Sequence, residues 1–529
     1  MTTAKRIIVL ISFLYMLHFF LLIVLPSCKE NKEYKRNKNY AAIPLSDIRK
    51  GAVLAEQYCQ SCHFFPDPAL LDATTWEKGV LPNMGPRLGI FYHNNQEYPS
   101  ALNDPDLDSN FYPAKPVITL EQWQNIIDYY RATSPDTLPP QQRAQSLKEG
   151  LPLFEVQVPP VTYTNAATSL VKIYTSGNRR SLIVSDVLRQ ITYRLNQQLI
   201  PMDSIQGNSS IVDIEVHGRE WLACNIGQLH PNNGKSGTAQ MINLNDNGKM
   251  KLASAPLFRN LARPVQVVAA DLNGDGREDY LICEFGFLTG ALVWMENLSN
   301  GQYQRHVLRP LPGAIKAYLQ DYNSDGLMDF WVLFAQGEEG IFLFTNKGKG
   351  QFAQEEVLRF PAVYGSSYFE LADFNQDGHP DIVYTCGDNA DYSIILKPYH
   401  GVYIFLNDGA NHFKQQFFFP INGCYKAIAR DFDGDGDLDI ATISFFADYK
   451  HQPEEGFVYL ENKGNFKFEP YTLPEAKQGR WLTMDAGDLD GDGRIDLVLG
   501  NFSMGPLPLN TAVDWKKAPP FIILKNRKP

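Results

Sequence analysis

The spacing of apolar and polar positions divides the chain into two regions of different character. Between residues 45 and 135, apolar residues recur at the i, i+3, i+4 and i+7 positions of a helix, as in Trp123, Ile126, Ile127 and Tyr130. From residue 153 onward, short apolar segments alternate with turns rich in Asp, Asn and Gly, a pattern typical of β-strands. The pattern predicts a multidomain protein with a small all-α domain (residues 45–135), a linker (136–152) and an all-β domain (153–529).

Residues 1–28 have the pattern of an export signal. Two basic residues precede an apolar stretch over residues 7–25, and five follow it. An uncleaved membrane anchor is the alternative, but basic residues after the stretch disfavour it. The sequence Leu25-Pro26-Ser27-Cys28 resembles a bacterial lipoprotein box, which implies that Cys28 is lipidated. We therefore expect an exported protein, periplasmic or at the cell surface, lipid-anchored to a membrane through a polar tether (residues 29–44).

The sequence Cys59-Gln60-Ser61-Cys62-His63 has the C-x-x-C-H spacing of covalent haem attachment. In this pattern, two thiols form thioethers to the haem and the adjacent His binds the iron. The alternatives are a redox C-x-x-C pair and half of a zinc site, but zinc would need two further ligands nearby. The motif predicts one haem c bound through Cys59 and Cys62, with His63 as an iron ligand.

The segment around this motif, roughly residues 45–135, resembles a small class I cytochrome c domain. The resemblance implies two helices packed across each other with haem between them. It also implies a Met thioether in the sixth iron position, for which Met84 in a Pro- and Gly-rich loop is the candidate and His93 the reserve. A Met/His pair fills both axial positions and favours electron transfer over oxygen chemistry.

A nine-residue element, Asp-x-[Asn/Asp]-x-Asp-Gly-x-x-Asp, occurs five times in the second half of the chain. Its oxygen side chains at positions 1, 3, 5 and 9, with Gly at position 6 and a backbone carbonyl at position 7, fit a hard cation, and we expect about five calcium ions. The predicted side-chain ligands are Asp271, Asn273, Asp275, Asp279, Asp321, Asn323, Asp325, Asp329, Asp373, Asn375, Asp377, Asp381, Asp431, Asp433, Asp435, Asp439, Asp488, Asp490, Asp492 and Asp496. The predicted carbonyl ligands are those of Arg277, Leu327, His379, Asp437 and Arg494.

These loops are not EF-hands, because a strand follows each one and the Glu of position 12 is absent. The alternative is a set of Asp/Gly turns that bind no metal. A decayed copy occurs at residues 213–221, where His217 and Trp221 replace two carboxylates and we expect no metal.

A second marker, a strand that ends in Asn, occurs seven times, near residues 191–196, 241–245, 291–297, 341–346, 402–407, 457–462 and 521–526. Together with the loops, these repeats resemble the FG-GAP/VCBS family of integrin α-like propellers. The resemblance implies a seven-bladed β-propeller over residues 153–529. Because residues 153–159 are similar to an outer strand and little chain follows residue 526, we predict that this segment completes the last blade.

The charge and the cysteine content of the chain add two points about its partners and its thiols. The chain carries 48 basic and 59 acidic residues, so its net charge of −11 makes nucleic acid an unexpected partner. Much of the acidity lies in the five loops. Cys224, Cys283, Cys386 and Cys424 lie in or beside predicted strands, where we expect buried free thiols or a bridge between Cys386 and Cys424.

Three functions remain open from the sequence. We favour electron transfer by a membrane-tethered mono-haem cytochrome whose propeller is a docking or binding scaffold, with a redox protein or membrane electron carrier as partner. The propeller is alternatively an oxidoreductase acting on a sugar or alcohol and passing electrons to the haem, or an adhesion protein with a saccharide or small-molecule ligand. Long loops in the late blades offer candidate pocket residues, namely Asp391, Tyr392, His400, Asp448, Tyr449, His451 and Trp515.

Overall fold

The computed structural model describes residues 34–527 apart from residues 152, 162, 178, 208–209, 391 and 505–514. The predicted export signal, Cys28 and most of the tether lie outside these residues. Among the helices of the described part, none combines the length and the apolar character needed to cross a bilayer.

Residues 34–135 form a helical unit with its own apolar core. Its helices are α1 (Leu45–Tyr58), α2 (Ala73–Thr75), α3 (Leu81–Met84) and α4 (Leu120–Thr133), and a π-helical turn (Trp76–Val80) joins α2 to α3. The unit is not purely helical, because it contains the hairpin of β1 (Tyr92–His93) and β2 (Gln96–Glu97). Residues 98–119 form turns and bends without a helix or strand.

Helices α1 and α4 pack directly against each other, and the haem expected between two such helices stays a prediction. A side chain at Gly51 would overlap the backbone carbonyl of Asn125, so only glycine permits this close approach. A capping box opens α4: the Thr119 hydroxyl accepts a hydrogen bond from the Gln122 amide (3.1 Å), and the Gln122 side chain accepts one from the Thr119 amide (2.8 Å). The apolar face of α4, including Trp123 and Ile126, is fully buried in the core of the unit.

The remainder of the chain forms seven antiparallel sheets arranged as the blades of a propeller, which confirms the predicted number. Short segments β3 (Lys148–Glu149) and β4 (Phe154–Gln157) precede the first blade. Blade 1 contains β5 (Thr168–Ser176), β6 (Arg179–Asp186), β7 (Ile191–Leu195) and β8 (Pro201–Gln206). Blade 2 contains β9 (Ile211–His217), β10 (Glu220–Asn225), β11 (Gly237–Leu244), β12 (Met250–Leu252) and β13 (Phe258–Leu261).

Blades 3 to 5 have four strands each. Blade 3 contains β14 (Pro264–Ala270), β15 (Asp279–Glu284), β16 (Ala291–Asn297) and β17 (Tyr303–Arg309). Blade 4 contains β18 (Ala314–Gln320), β19 (Asp329–Phe334), β20 (Gly340–Asn346) and β21 (Phe352–Arg359). Blade 5 contains β22 (Ser366–Ala372), β23 (Asp381–Cys386), β24 (Gly401–Asn407) and β25 (Phe413–Pro420).

The last two blades each include a strand from before blade 1. Blade 6 contains β26 (Cys424–Arg430), β27 (Asp439–Ser444), β28 (Phe457–Asn462) and β29 (Phe468–Thr472), and β3 pairs parallel to β29. Blade 7 contains β30 (Trp481–Gly487), β31 (Asp496–Asn501) and β32 (Phe521–Asn526). Strand β4 pairs with β32 as the outer strand of blade 7, which confirms the predicted ring closure.

Hydrogen bonds between neighbouring inner strands help to hold the blades together. A carboxylate or amide oxygen on the inner strand of one blade accepts the backbone amide of the next, as Glu215 does from Ala269 (2.8 Å) and Glu370 does from Ala429 (2.8 Å). Asp485 in blade 7 accepts from Ile173 in blade 1 (2.8 Å), so the same type of contact spans the closure. Apolar side chains fill the spaces between sheets.

The first two strands of blade 2 are joined by a tight turn and not by a loop. Residues 213–221, aligned above with a metal loop, lie in β9 and β10, which pair His217 with Glu220 across a tight Gly218-Arg219 turn. Without the oxygen ligands, the chain continues as a hairpin instead of forming a loop.

The six cysteines of the described part are free. The alternative bridge between Cys386 and Cys424 is therefore wrong, and both thiols are buried.

Candidate functional site

The five Asp-rich loops all join the first and second strands of blades 3 to 7, and therefore lie on one face of the ring, here called the metal-loop face. Each loop is folded by its own side chains. In blade 4, Asp321 accepts the amides of Asp325 (3.1 Å) and Gly326 (2.9 Å), while Asn323 accepts that of Asp325 (2.9 Å). The other four loops repeat most of these bonds. These bonds hold the side chains of positions 1, 3 and 5 on one tight turn.

The Asp at position 9 has a different role from the others. All five of these residues, Asp279, Asp329, Asp381, Asp439 and Asp496, are fully buried. In each blade, one carboxylate oxygen accepts the backbone amide of the Asn that ends the third strand, at 2.7 to 2.9 Å. This contact joins the two sequence markers and explains why they recur together. Burial raises the pKa of Asp439 to about 7 and that of Asp496 to about 6.

Two loops bring three carboxylates to within ligand distance of a single ion. The side-chain oxygens of Asp431, Asp433 and Asp439 lie within 4.8 Å of one another, as do those of Asp488, Asp490 and Asp492. These are the two loops that carry Asp rather than Asn at position 3. An all-oxygen donor set on a tight turn fits the coordination chemistry of calcium.

Position 7 carries side chains that brace the loops. The guanidinium groups of Arg277 and Arg494 pair with the position-5 carboxylates of Asp275 and Asp492. Their Nε atoms donate to the carbonyls of Asn297 (2.7 Å) and Asn526 (3.1 Å). The predicted use of the position-7 carbonyls as ligands stays a prediction.

The C-x-x-C-H motif begins in the turn that ends α1. Cys59 is half-buried and Cys62 is exposed, and burial raises the pKa of Cys59 to about 11. The Nδ1 atom of His63 lies 2.9 Å from the Phe64 carbonyl oxygen, which can only accept. Nδ1 therefore carries the hydrogen and Nε2 carries the lone pair, as a metal-binding histidine requires. Burial lowers the pKa of His63, and the Arg359 guanidinium lowers it further, so the neutral form is favoured.

The two candidates for the sixth ligand have different surroundings. Met84 ends α3, is half-buried and packs against the same core as Cys59. His93 is buried, and its Nε2 lies 2.8 Å from the side-chain oxygen of Gln124. Cys59 and Met84 pack on one small core, and together with the adjacent Cys62 and the neutral imidazole of His63 they offer the types of donor that haem c uses.

The helical unit rests on the propeller face opposite the metal loops. The Tyr399 hydroxyl donates to the Leu70 carbonyl (3.1 Å), and Val363, Ile395 and Tyr399 complete the core of the helical unit. The Arg359 guanidinium lies 5.5 Å from the ring centre of Phe64, next to His63. Sequence reasoning missed these propeller residues, because nothing local to them signals contact with a motif so distant in the chain.

The candidate pocket residues have separate surroundings within the described part of the chain. His400 is buried, and its carbonyl accepts a hydrogen bond from Gln141 (2.8 Å) in the linker. Tyr449 and Trp515 pack together, with ring centres 4.6 Å apart. Asp448 and His451 form a pair at the surface, and Tyr392 is partly exposed. Asp391 lies outside the described residues.

The fold and its loops define a seven-bladed β-propeller with FG-GAP-like repeats. The model of the FG-GAP-like repeat matches residues 321–384, from the metal loop of blade 4 to the second strand of blade 5.

The chain is also similar to cartilage acidic protein 1 of several animals. It is 26% identical to the mouse protein over 340 residues, which are 58% of this chain and 50% of that one. It is 30% identical to the Xenopus tropicalis protein over 192 residues, which are 34% of this chain and 28% of that one. The matched region thus spans at most about half the length of these curated relatives.

Two solved structures have a related shape. Virginiamycin B lyase from Staphylococcus aureus is 11% identical, with a TM-score of 0.42 over 70% of this chain and 98% of that one. Sqt1 from Saccharomyces cerevisiae is 10% identical, with a TM-score of 0.41 over 70% of this chain and 97% of that one.

Proposed function

We propose that this protein is an exported mono-haem c-type cytochrome that performs electron transfer and uses a calcium-stabilised propeller as its docking or binding scaffold. Haem c would supply a one-electron redox centre, attached through Cys59 and Cys62. Residues 1–28 would direct export, and lipidation of Cys28 would hold the protein at a membrane. The partner would be a redox protein or a membrane electron carrier.

The observation that carries the proposal is the state of His63 beside the two cysteines. Its Nδ1–H is held by the Phe64 carbonyl, which orients the ring and reserves Nε2 for a metal. The unpaired state of Cys59 and Cys62 is consistent with thiols intended for thioether bonds.

Met84 is our candidate for the sixth ligand. Its thioether packs on the core that also contacts Cys59, whereas the ring of His93 is already hydrogen-bonded to Gln124. Axial ligation by His63 and Met84 would leave the iron no open position, which suits electron transfer.

Calcium would have a structural role in this scheme. Each loop folds around converging oxygens, and three carboxylates meet in two of them. Without a cation these like charges repel one another, so binding should stabilise blades 3 to 7.

The test is a comparison of two variants in the same turn, expressed in cells that mature c-type cytochromes. We expect the full-length protein to show a Soret band and the mass of one covalent haem. Cys62→Ser should abolish the covalent mass increment, while Gln60→Ala, a change at an exposed neighbour, should retain it. A full-length protein with neither the band nor the added mass would disprove the haem assignment.

A binding function without redox chemistry is the second candidate. The seven-bladed ring and its FG-GAP-like repeat favour it, because such a ring presents a broad surface. The oxidoreductase alternative has less support, since His400 is buried under the linker and the other pocket candidates are dispersed. Reduction of the haem by a sugar or alcohol alone would favour it instead.

A further inference from the structure

A cavity of about 450 Å³ opens on the metal-loop face beside blade 1. Its walls come from the β5–β6 hairpin, the β7–β8 turn and the β11–β12 turn of blade 2. It therefore lies where blade 1 has a short turn in place of a metal loop. Its volume falls within the range, roughly 300–1,000 Å³, that is usual for small-molecule sites.

The cavity is lined by three arginines, Arg179, Arg180 and Arg194. The Nε atoms of Arg180 and Arg194 are buried and have no hydrogen-bond partner among the described residues. One guanidinium nitrogen of Arg180 lies 3.1 Å from Asp488, which leaves its Nε unsatisfied. Because these Nε atoms are buried, a ligand in the cavity would contact the terminal guanidinium nitrogens instead, and Nη2 of Arg194 lies next to Gly248 in the cavity wall.

Two acidic residues lie beside these arginines, because Asp488 pairs with Arg180 and Asp203 lies opposite Arg194 on the neighbouring strand. The side chain of Asp246 is fully exposed at the rim and pairs with Arg219 (3.1 Å) outside the cavity. A concentration of positive charge is notable on a chain of net charge −11, on the same face as the acidic loops. Guanidinium groups bind carboxylates and sulfates through paired, charge-assisted hydrogen bonds.

Uncharged polar groups complete the lining. Asn196, Gln197, Gln198 and Asn247 contribute side-chain amides, and Tyr174 and Met202 contribute apolar surface. Gln197 is held by a hydrogen bond to the Asp490 carbonyl (3.2 Å), which fixes that wall against blade 7. Amides next to an apolar surface suit the hydroxyls and the ring of a sugar, while arginines suit an acidic substituent.

We propose that this cavity binds an acidic saccharide, with its carboxylate or sulfate at Arg180 and Arg194 and its hydroxyls at the amides. The site is independent of the proposed haem, because its lining residues belong to blades 1 and 2 at the face opposite the helical unit. The site would make acidic saccharides the class of ligand that the propeller scaffold binds.

The experiment is calorimetric titration of the full-length protein with methyl β-D-glucuronide, glucose 6-sulfate, methyl β-D-glucoside and inorganic sulfate. The glucuronide and glucoside differ in the acidic group, so we expect the glucuronide or the sugar sulfate to bind at least roughly tenfold more tightly than the glucoside. The stronger of the two identifies carboxylate or sulfate as the natural group. Equal binding of the glucoside, or binding of neither acidic sugar, would overturn the proposal.

Inorganic sulfate separates a sugar site from a simple ion site. Sulfate binding as tightly as glucose 6-sulfate, with no binding of the glucuronide, would show that the amides contribute nothing and would overturn the saccharide assignment.

Variants then locate the site. Arg194→Gln should weaken the acidic sugar by roughly tenfold or more, whereas Arg259→Gln, at an exposed arginine of β13 outside the cavity, should leave it unchanged. If Arg194→Gln does not fold, Arg180→Gln decides, because Arg180 is the other arginine at which the acidic group is placed. An affinity unaffected by the folded variant would place the ligand elsewhere and contradict the proposal.

Discussion

Blades 3 to 7 and blades 1 and 2 form similar antiparallel sheets through different turns between their first two strands. In blades 3 to 7, an Asp-rich loop separates the first two strands, and a buried Asp at position 9 ties that loop to the end of the third strand. In blade 2, the corresponding strands join in a tight hairpin at Gly218. A blade can therefore form without the metal loop. The loop itself forms only where its own side-chain oxygens are present to accept the backbone hydrogen bonds.

Removal of calcium should produce the largest difference in stability between blades 3 to 7, which have the loops, and blades 1 and 2, which do not. Excess chelator should lower the melting temperature by roughly 10 °C or more, because carboxylates in five loops would then repel one another. Thermal unfolding monitored by circular dichroism, with and without added calcium, measures the shift. An unchanged melting curve in chelator would remove the structural role of calcium.

Next in size is the loss of a buried position-9 residue. In Asp439→Ala, the amide of Asn462 and the hydroxyl of Tyr459 lose their acceptor, at 2.8 and 2.6 Å respectively. Unsatisfied buried donors of this type should cost about 3 kcal/mol of unfolding free energy, measured by denaturant titration.

The control lies in the same loop. Asp435→Ala removes an exposed position-5 carboxylate and should cost clearly less than Asp439→Ala when no calcium is present. Equal losses for the two variants in chelator would mean that burial at position 9 is not what matters.

The smallest change in unfolding free energy is expected from substitutions at Asp213 in blade 2 and Asp271 in blade 3, which occupy equivalent positions in the repeat. Asp271→Ala removes position 1 of a metal loop and should cost about 1–2 kcal/mol in calcium, with most of that difference lost in chelator. Asp213→Ala lies within β9 and should cost less than about 1 kcal/mol under both conditions. The measurement is again denaturant unfolding, and a calcium-dependent effect of Asp213→Ala would contradict the assignment of blade 2 as metal-free.

The repeated features of the propeller could be predicted from the sequence because their signals are local. The Asp-rich loops, the third strands ending in Asn and the closing segment are each defined by adjacent residues. The structure places the loops and the closing segment where they were expected, and the third strands end in Asn in blades 3 to 7. In blades 1 and 2 the third strand ends one residue earlier, at Leu195 and Leu244. The hairpin of blade 2 was missed because its residues keep the spacing of a loop although the oxygens that would fold it are gone.

The candidate site was predictable only in its local part. The cysteines and His63 are adjacent in sequence, but the Phe64 carbonyl bond and the approach of Arg359 depend on how the chain folds. Likewise, the linker that covers His400 lies far from it along the chain. Three arginines, two adjacent on β6 and one on β7, meet at one cavity, and no motif in the sequence indicates that.

The closing strand has a consequence for how the molecule is made. The Glu155 and Arg527 side chains, which pair across blade 7, are 372 positions apart along the chain. During synthesis, β4 emerges early and its partner β32 emerges after every other strand of the ring. The unpaired edge of β4 must therefore be protected from aggregation until β32 has been synthesised. The ring closes late in folding, and we expect this closure to be slow because its contacts are distant in sequence.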